Sequence, residues 1–217
     1  MRPDAPVTWS VVIPVKVLAQ AKSRLTGLPA GDRAELVLAM AADTVAAATA
    51  AETVRRVLVV TDDPVVAAEV TPLGAIVIGD EPAAGLNAAL AFGAGQARAR
   101  WPDRGVAALA ADLPALQPEE LVAALEAAAA AGRAFVPDAD GTGTTLYAAG
   151  PGQDFDPLFG ELSRARHRAA GLAELDLPGL RGLRRDVDTP ADLREAVAIG
   201  TGSRTSVLVT RGGFTRQ

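Results

Sequence analysis

Cations, hydroxyls and carboxylates stand in four short segments of the chain, each beside an apolar run. They are Lys16, Lys22, Ser23 and Arg24, then Asp112, then the loop from Asp140 to Thr144, and finally Asp186 with Asp188. Clustered cations match the negative charge of a nucleotide's phosphates, and carboxylates are the side chains through which proteins usually hold Mg²⁺. This combination indicates a magnesium-assisted phosphoryl transfer, in which positive charge stabilises the transferring phosphorus and the leaving group.

Each segment also has a purely structural interpretation. The cations could form a solvated turn, although three of them beside an apolar strand in an acidic protein favour phosphate binding. Asp112 could initiate a turn. Asp186 and Asp188 precede a helix start and could simply interact with the helix dipole. The combination of a cationic loop with separate acidic segments is what favours chemistry over these alternatives.

The composition excludes several other chemistries. Cysteine is absent, which removes disulfides, thiolate nucleophiles and cysteine-ligated metal centres. His167 is the single histidine, so a histidine-rich metal site is excluded, and no nucleophile-elbow sequence accompanies it. A nucleophile that is itself a phosphate carries roughly 1.5 to 2 negative charges at neutral pH and needs no general base. The proposed chemistry therefore suits a chain that lacks the usual bases.

Three further residues are compatible with either a structural or a binding role. Arg166 and His167 lie in an arginine-rich stretch that is typical of a solvated helix face. The same stretch could clamp the phosphate or carboxylate of an acceptor, since the guanidinium fork matches both anions. Asn87 could start a helix, or its amide could contact the edge of a nucleotide base. These alternatives stay open from the residues alone.

The bulk properties predict one globular domain without nucleic-acid or membrane partners. About half of the 217 residues are apolar, which is enough to close one large core. With 26 acidic and 21 basic residues, the chain has no overall positive charge to attract nucleic acid. No apolar run approaches the roughly 20 residues that a membrane span needs. Residues 1–4 also lack the order of an export signal, so we expect a cytoplasmic protein.

Short apolar runs alternate with helical patterns, which predicts a mostly parallel α/β sheet with helices on both faces. Strands are expected at 9–15, 56–61, 75–78, 106–110, 134–137 and 144–149, and helices at 32–50, 64–70, 86–98, 118–131 and 190–199. Asp32 and Glu35 have capping-box spacing before the first of these helices. In such sheets ligands bind beyond the carboxyl ends of the strands, where the cationic loop and Asp112 stand.

The remaining segments show weaker periodicity. We expect residues 150–182 to form a long functional loop with at most one helix. The domain is expected to extend over residues 1–199. Residues 200–217 are rich in Gly, Ser, Thr and Arg and are expected to form a mobile tail, in which residues 207–209 could add an edge strand.

Six short motifs occur in a fixed order between residues 9 and 199. They are P-V-K-x5-K-S-R-L from Pro14, G-L-N-x2-L from Gly85, D-L-P-A-L from Asp112, G-T-G-T from Gly141, F-G-x2-S-x2-R-H from Phe159 and D-V-D-T-P from Asp186. Each motif is weak by itself, but six in one order are specific. Together they resemble the phosphoenolpyruvate (or 2-phospho-L-lactate) guanylyltransferases of deazaflavin coenzyme F-420 biosynthesis.

The resemblance implies a Rossmann-like, glycosyltransferase-A-like nucleotidyltransferase fold. It further implies that GMP passes from GTP to phosphoenolpyruvate, giving enolpyruvoyl-2-diphospho-5′-guanosine and pyrophosphate, with Mg²⁺ as cofactor. By motif position, the acceptor contacts of that family fall on Thr144, Gly160 and Ser163, the metal ligands on Asp112, Asp186 and Asp188, and the nucleotide-phosphate loop on Lys16, Lys22 and Arg24. The residue types themselves add Arg166 and His167 as candidate acceptor contacts and Ser23 and Asn87 as candidate nucleotide contacts. Lys16, Lys22, Arg24 and Asp112 are the expected catalytic residues.

Two departures from related nucleotidyltransferases narrow this expectation. The first loop is not glycine-rich, which argues against the molybdenum-cofactor and sugar-phosphate branches. Ala111 stands where Gly commonly precedes the metal-binding aspartate, and its methyl group would limit a close backbone approach. Alternatives are the same chemistry with 2-phospho-L-lactate or 3-phosphoglycerate as acceptor, and a catalytically silent nucleotide-binding module, which the three aspartates disfavour.

Overall fold

The structure is a computed structural model that describes residues 6–16, 25, 30–81 and 83–212. Within these ranges one sheet contains seven strands: β1 Trp9–Pro14, β2 Val54–Val60, β3 Ile76–Ile78, β4 Gly105–Leu109, β5 Arg133–Pro137, β6 Thr144–Ala149 and β7 Ala173–Glu174. The helices are α1 Ala30–Ala50, α2 Pro64–Val70, α3 Leu86–Arg100, α4 Pro118–Ala131, α5 Ser163–Ala169, α6 Arg181–Arg184, α7 Pro190–Ile199 and α8 Ser203–Gly212. In the part of the chain so described, no helix is long and apolar enough to span a membrane.

The strands follow the order β3-β2-β1-β4-β6-β5-β7 across the sheet. Neighbours run parallel except at β6, which lies antiparallel between β4 and β5. The predicted mostly parallel sheet is therefore confirmed. The position of β6 matters for the site, because it brings the first residue of this strand to the edge where the neighbouring parallel strands end.

Helices cover both faces of the sheet, as predicted. Successive side chains of β1 point to opposite faces, so Val11 packs in a cluster with Val45 of α1, whereas Val12 packs in another with Leu90 of α3. Gly93 allows α3 to lie close to the sheet, because a Cβ there would be 2.5 Å from Val12 Cγ1. This close packing fixes the helices around the strand ends that form the site.

Most predicted element boundaries agree with the structure within two residues. One correction concerns α1, which begins at Ala30, so that Asp32 lies in its first turn and is not the predicted capping residue. A second concerns residues 150–182, expected to be a loop with at most one helix. They contain α5, the start of α6 and the short strand β7, which pairs in parallel with β5 at Ala134 and Ala173.

Residues 203–212 form α8, so the edge strand that residues 207–209 could have added is not formed. The buried carboxylate of Asp43 on α1 accepts hydrogen bonds from the amides of Arg204 (3.2 Å) and Thr205 (2.8 Å). These bonds satisfy amides at the start of α8 that the helix itself leaves unpaired. Thr205 and Val209, four residues apart, are both buried. Helical spacing of buried residues thus overrides the local preference of residues 207–209 for a strand.

Candidate active site

A cleft of about 580 Å³ opens at the carboxyl ends of β1 and β4. It is lined by residues from separate segments, among them Lys16, Asp112, Asp138, Thr142, Gly143, Thr144, Gly160, Ser163, Asp186 and Asp188. Seven of the predicted site residues therefore share one cavity, at the sheet edge where open α/β folds bind ligands. The predicted residues Lys22, Ser23 and Arg24 lie outside the described residues.

The backbone brings the two acidic segments together. The amide of Val187 donates a hydrogen bond to the carbonyl oxygen of Asp112 (3.1 Å), so Asp186 and Asp188 flank the residue that contacts Asp112. Thr189 and the carboxylate of Asp192 cap the start of α7. The first helical turn after Asp188 therefore has its own cap, and both predicted aspartates line the cleft.

The acidic side chains suit a cation that arrives with its substrate. Among the residues described, no group of three or more histidine, cysteine or acidic side chains is spaced to hold a metal ion. Mg²⁺ usually keeps several waters and binds through one or two carboxylates together with substrate phosphates. Asp112, Asp186 and Asp188 provide such carboxylates beside a cleft with room for phosphates.

A buried threonine on α1 fixes the backbone on both sides of Asp112. The Thr44 hydroxyl accepts a hydrogen bond from the amide of Leu113 (3.1 Å). Its proton is shared between the carbonyl oxygens of Met40 (2.9 Å) and Ala111 (3.2 Å). Sequence reasoning missed Thr44, for which the available signal was a polar residue within an alanine-rich helix. Its hydrogen bonds hold Asp112 in a fixed place at the end of β4.

The turn between β5 and β6 is shaped by a second carboxylate that the sequence did not single out. Asp138 accepts hydrogen bonds from the amides of Thr142 (2.8 Å) and Gly143 (2.7 Å). A Cβ on Gly143 would lie 2.4 Å from Asp138 Oδ2, so this close approach requires glycine. Both Asp138 oxygens bond the backbone, and we assign Asp138 to holding the loop that ends at Thr144.

Hydrogen bonds define the protonation of His167 and the orientation of the Thr144 hydroxyl. Nε2 of His167 accepts a hydrogen bond from the amide of Leu158 (3.1 Å), and Nδ1 lies 3.0 Å from Oγ1 of Thr144. Because an amide only donates, Nε2 carries no proton in the neutral ring, and Nδ1 carries it instead. Nδ1 therefore donates to Thr144, which leaves the Thr144 hydroxyl proton for a ligand in the cleft.

The structure does not place His167, expected as a contact of the acceptor anion, among the residues that line the cleft. Its ring is fully buried and lies 5.2 to 5.7 Å, centroid to centroid, from Phe135, Tyr147 and Phe159. Burial, and secondarily the nearby charge of Arg166, lowers the pKa of His167 from 6.5 to about 4. A neutral ring without access to the cleft cannot clamp an anion, and it reaches the site only through Thr144.

Arg166 and Asn87 also hold the walls of the cleft and do not line it. The amide of Asn87 bonds the backbone of Phe159 in both directions, donating to its oxygen (3.0 Å) and accepting from its nitrogen (2.8 Å). In this structure the Asn87 side chain therefore clamps the backbone of Phe159, and its expected contact with a base stays a prediction. The exposed Arg166 guanidinium donates to the carbonyl oxygen of Glu161, which steadies the segment before α5 and does not contact the cleft.

The segment just before α5, residues 160–162, has a strained backbone where it faces the cleft. Gly160 has a φ of 111° and Leu162 a φ of 53°, a left-handed conformation that is uncommon for a leucine. The amide of Ser163 closes the turn by donating to the oxygen of Gly160 (3.1 Å). Gly160 and Ser163 both line the cleft. Strain of this kind is often kept at ligand sites, where surrounding contacts enforce it.

Comparison with known proteins identifies the family. Residues 9–216 match the family model described as "Guanylyl transferase CofC like". The chain belongs to this family. It is 58% identical over 208 residues to the phosphoenolpyruvate guanylyltransferase of Thermomonospora curvata, covering 96% of this chain and 91% of that protein. It is 57% identical over 205 residues to the protein of the same name from Streptomyces avermitilis, covering 94% of each.

The solved structures extend the comparison of this CofC-like chain to its fold. A protein from Desulfovibrio desulfuricans G20 described as a nucleotide-diphospho-sugar transferase matches with a TM-score of 0.72 at 18% identity, covering 96% of this chain and 97% of that one. At this identity the likeness concerns the fold alone. The predicted nucleotidyltransferase-like α/β fold and the predicted family are both confirmed.

Proposed function

We propose that this protein transfers GMP from GTP to phosphoenolpyruvate, giving enolpyruvoyl-2-diphospho-5′-guanosine and pyrophosphate for coenzyme F-420 biosynthesis. Membership of the CofC-like family supports this reaction, as do the relatives named phosphoenolpyruvate guanylyltransferase. The structural observation that carries the proposal is one cleft that combines Lys16, Asp112, Asp186 and Asp188 with the Thr144 hydroxyl. Both substrates are metabolites of the cytoplasm, which supports a cytoplasmic location.

The reaction needs charge stabilisation more than proton transfer. A phosphate oxygen of phosphoenolpyruvate attacks the α-phosphorus of GTP, and the bond from that phosphorus to the oxygen bridging to the β-phosphate breaks. Pyrophosphate leaves with the electron pair of that bond. The attacking phosphate is already ionised at neutral pH. Positive charge placed beside the phosphates stabilises the transition state. In our proposal Lys16 supplies part of this charge, and Lys22 and Arg24 of the same loop supply more.

One or two of the carboxylates of Asp112, Asp186 and Asp188 would hold Mg²⁺, with the phosphates of GTP completing its ligands. When bound, the ion would supply positive charge that stabilises the negative charge developing on the phosphates. The contribution of the protein is to fix the backbone that carries these carboxylates: Thr44 bonds the residues on both sides of Asp112, and the amide of Val187 bonds the carbonyl oxygen of Asp112 itself. Because both supports act on the backbone beside Asp112, they hold it in place before a substrate arrives.

The opposite wall of the cleft would bind the acceptor. The Thr144 hydroxyl, oriented by His167, is a donor for the carboxylate or phosphate of phosphoenolpyruvate. Ser163 and the backbone at Gly160 complete this wall. Asn87 and Arg166 support the same wall from behind through Phe159 and Glu161. The acceptor site would thus be made of neutral donors that orient the anion, while positive charge elsewhere in the cleft would offset its repulsion from GTP.

The test is a direct assay of the purified protein. With GTP, Mg²⁺ and phosphoenolpyruvate, we expect release of pyrophosphate and formation of a product whose mass equals GMP plus phosphoenolpyruvate minus water. Asp112→Asn keeps the shape of the side chain and should abolish turnover, as should removal of Mg²⁺ with a chelator. Equal turnover with 2-phospho-L-lactate or 3-phosphoglycerate would contradict the assigned acceptor. Tight GTP binding without turnover would contradict the assignment as an enzyme.

A further inference from the structure

A second hollow, of about 270 Å³, continues from the cleft at Lys16. It shares Pro14, Val15, Lys16 and Leu86 with the cleft, and its far wall contains Asp62 and Asp80, which follow the ends of β2 and β3. A ligand whose phosphates lie beside Lys16 therefore has room to extend along the sheet edge into this hollow. The chemistry of its far wall determines which part of a ligand fits there.

The two acidic residues of the far wall differ in what their side chains do. Asp62 Oδ1 accepts a hydrogen bond from the backbone amide of Asp80 (3.0 Å), so Asp62 holds the position of its neighbour. Asp80 lines the hollow, and its Oδ1 is buried without a hydrogen-bond partner within the described part of the chain, so the carboxylate must rotate about its Cβ–Cγ bond to present both oxygens to a ligand. A buried carboxylate oxygen without a donor is unfavourable, and such groups in native proteins call for a partner that the protein alone does not supply.

A carboxylate in this position selects a ligand edge with two adjacent donors. Guanine presents N1–H beside its 2-amino group, and the two donors match the two oxygens of a carboxylate. Adenine places the acceptor N1 beside its 6-amino group, and a carboxylate repels that acceptor. The pyrimidine bases also place a carbonyl oxygen or an unprotonated ring nitrogen in one of the two positions. A carboxylate thus favours guanine and disfavours the other common bases.

We infer that Asp80 determines the base specificity of the nucleotide site, by accepting hydrogen bonds from N1–H and the 2-amino group of guanine. The inference rests on the proposed function, since it takes the donor to be a nucleoside triphosphate with its phosphates at Lys16. The backbone supports this assignment: the amide of Ala83 bonds the oxygen of Asp80 (3.0 Å), and Ala83 has a φ of 42°. The turn that presents Asp80 is thus held in a strained, defined conformation.

The test changes one hydrogen-bond acceptor of the protein into a donor and pairs the variant with a base that has an acceptor in the matching position. Asp80→Asn replaces one acceptor oxygen with a donor, which suits xanthine, because xanthine carries a carbonyl oxygen where guanine has its amino group. We expect kcat/KM for GTP to fall about 10- to 100-fold through a higher KM, the size expected for a lost hydrogen bond to a charged group. Use of xanthosine triphosphate should rise. Glu81→Gln is the matched control, since it removes a carboxylate charge from the neighbouring exposed residue, which does not line the hollow, and it should keep the preference for GTP.

Two readouts keep this inference separate from the proposed function. Calorimetric binding of GTP, inosine triphosphate and xanthosine triphosphate does not depend on turnover, so base preference is measured even without an acceptor reaction. The wild-type protein should bind inosine triphosphate, which lacks the 2-amino group, about 10-fold or more weakly than GTP. Equal binding of these two nucleotides, or an Asp80→Asn variant with the wild-type preference, would overturn the role of Asp80. Absent turnover with intact guanine selectivity would overturn only the proposed function.

Discussion

Acidification should destabilise this protein through its single histidine. In the fold, Nε2 of His167 accepts the amide of Leu158 (3.1 Å), and three aromatic rings surround the imidazole. Protonation places a hydrogen on Nε2, which turns this acceptor into a donor that faces another donor. The charged ring would also lie in an apolar environment, whereas in the unfolded chain it is fully hydrated.

The magnitude follows from the two pKa values. Burial lowers the pKa of His167 in the fold from 6.5 to about 4, so the unfolded chain binds the proton first as the pH falls. The full stability is present above pH 6.5 and is lost progressively between pH 6.5 and pH 4. At about 1.4 kcal/mol for each pKa unit, the upper limit of this loss is about 3 kcal/mol. About 2 kcal/mol of it is expected by pH 5, where most carboxylates are still ionised.

The assay compares urea unfolding at pH 7 and pH 5 for the wild-type protein and His167→Gln. Glutamine keeps an acceptor for the Leu158 amide but does not titrate, so it removes the histidine contribution and leaves the carboxylates unchanged. The wild-type protein should lose about 2 kcal/mol more than the variant over this interval. Because His167 is the only histidine, its ¹⁵N signals need no assignment and should show a proton on Nδ1 at pH 7. Titration of the folded ring near pH 6.5, or an equal pH dependence of both proteins, would refute this reasoning.

Three further substitutions test the supports of the cleft. Thr144→Val removes the hydroxyl donor and should raise KM for phosphoenolpyruvate about 10-fold, whereas Thr144→Ser should restore it; equal KM values in steady-state assays would contradict the assigned donor. Thr44→Val leaves the Leu113 amide without its acceptor, so it should lower the free energy of unfolding by about 1–3 kcal/mol in urea titrations. It should also reduce kcat for pyrophosphate release, and an unchanged kcat would show that Asp112 does not depend on Thr44. Gly143→Ala places a Cβ 2.4 Å from Asp138 Oδ2 and should lower both Tm and activity, and an unaltered Tm would show that the loop adjusts freely.

Features set by short stretches of sequence were predictable. The start of α7 at Thr189 and Pro190 and the start of α2 at Asp63 and Pro64 follow from local capping chemistry, and both agree with the structure. The apolar runs indicated the buried strands. Because ligands bind at the carboxyl ends of parallel strands, the position of Asp112 after such a run was enough to place it at the cleft.

Features that depend on distant partners were not predictable. Asn87 pairs with the backbone of Phe159, 72 positions away, so its local helix-start pattern could not reveal that it clamps a wall of the cleft. His167 lies in an arginine-rich helix that suggests solvent, yet the packing of Tyr147 and Phe135 against α5 buries it. In both cases a tertiary contact decides the role of a polar residue, and such contacts leave no trace in the spacing of neighbouring residues.

The most direct measurement of the central claim is the transfer of labelled GMP by the wild-type protein and by Asp112→Asn. With GTP labelled at the α-phosphate, Mg²⁺ and phosphoenolpyruvate, the wild-type protein should move the label into a guanosine diphosphate ester of enolpyruvate, with one pyrophosphate released for each ester formed. The variant should fold and bind GTP but form no ester. Ester formation by Asp112→Asn at the wild-type rate, or no transfer by the wild-type protein, would contradict the assignment of this cleft as the guanylyl transfer site.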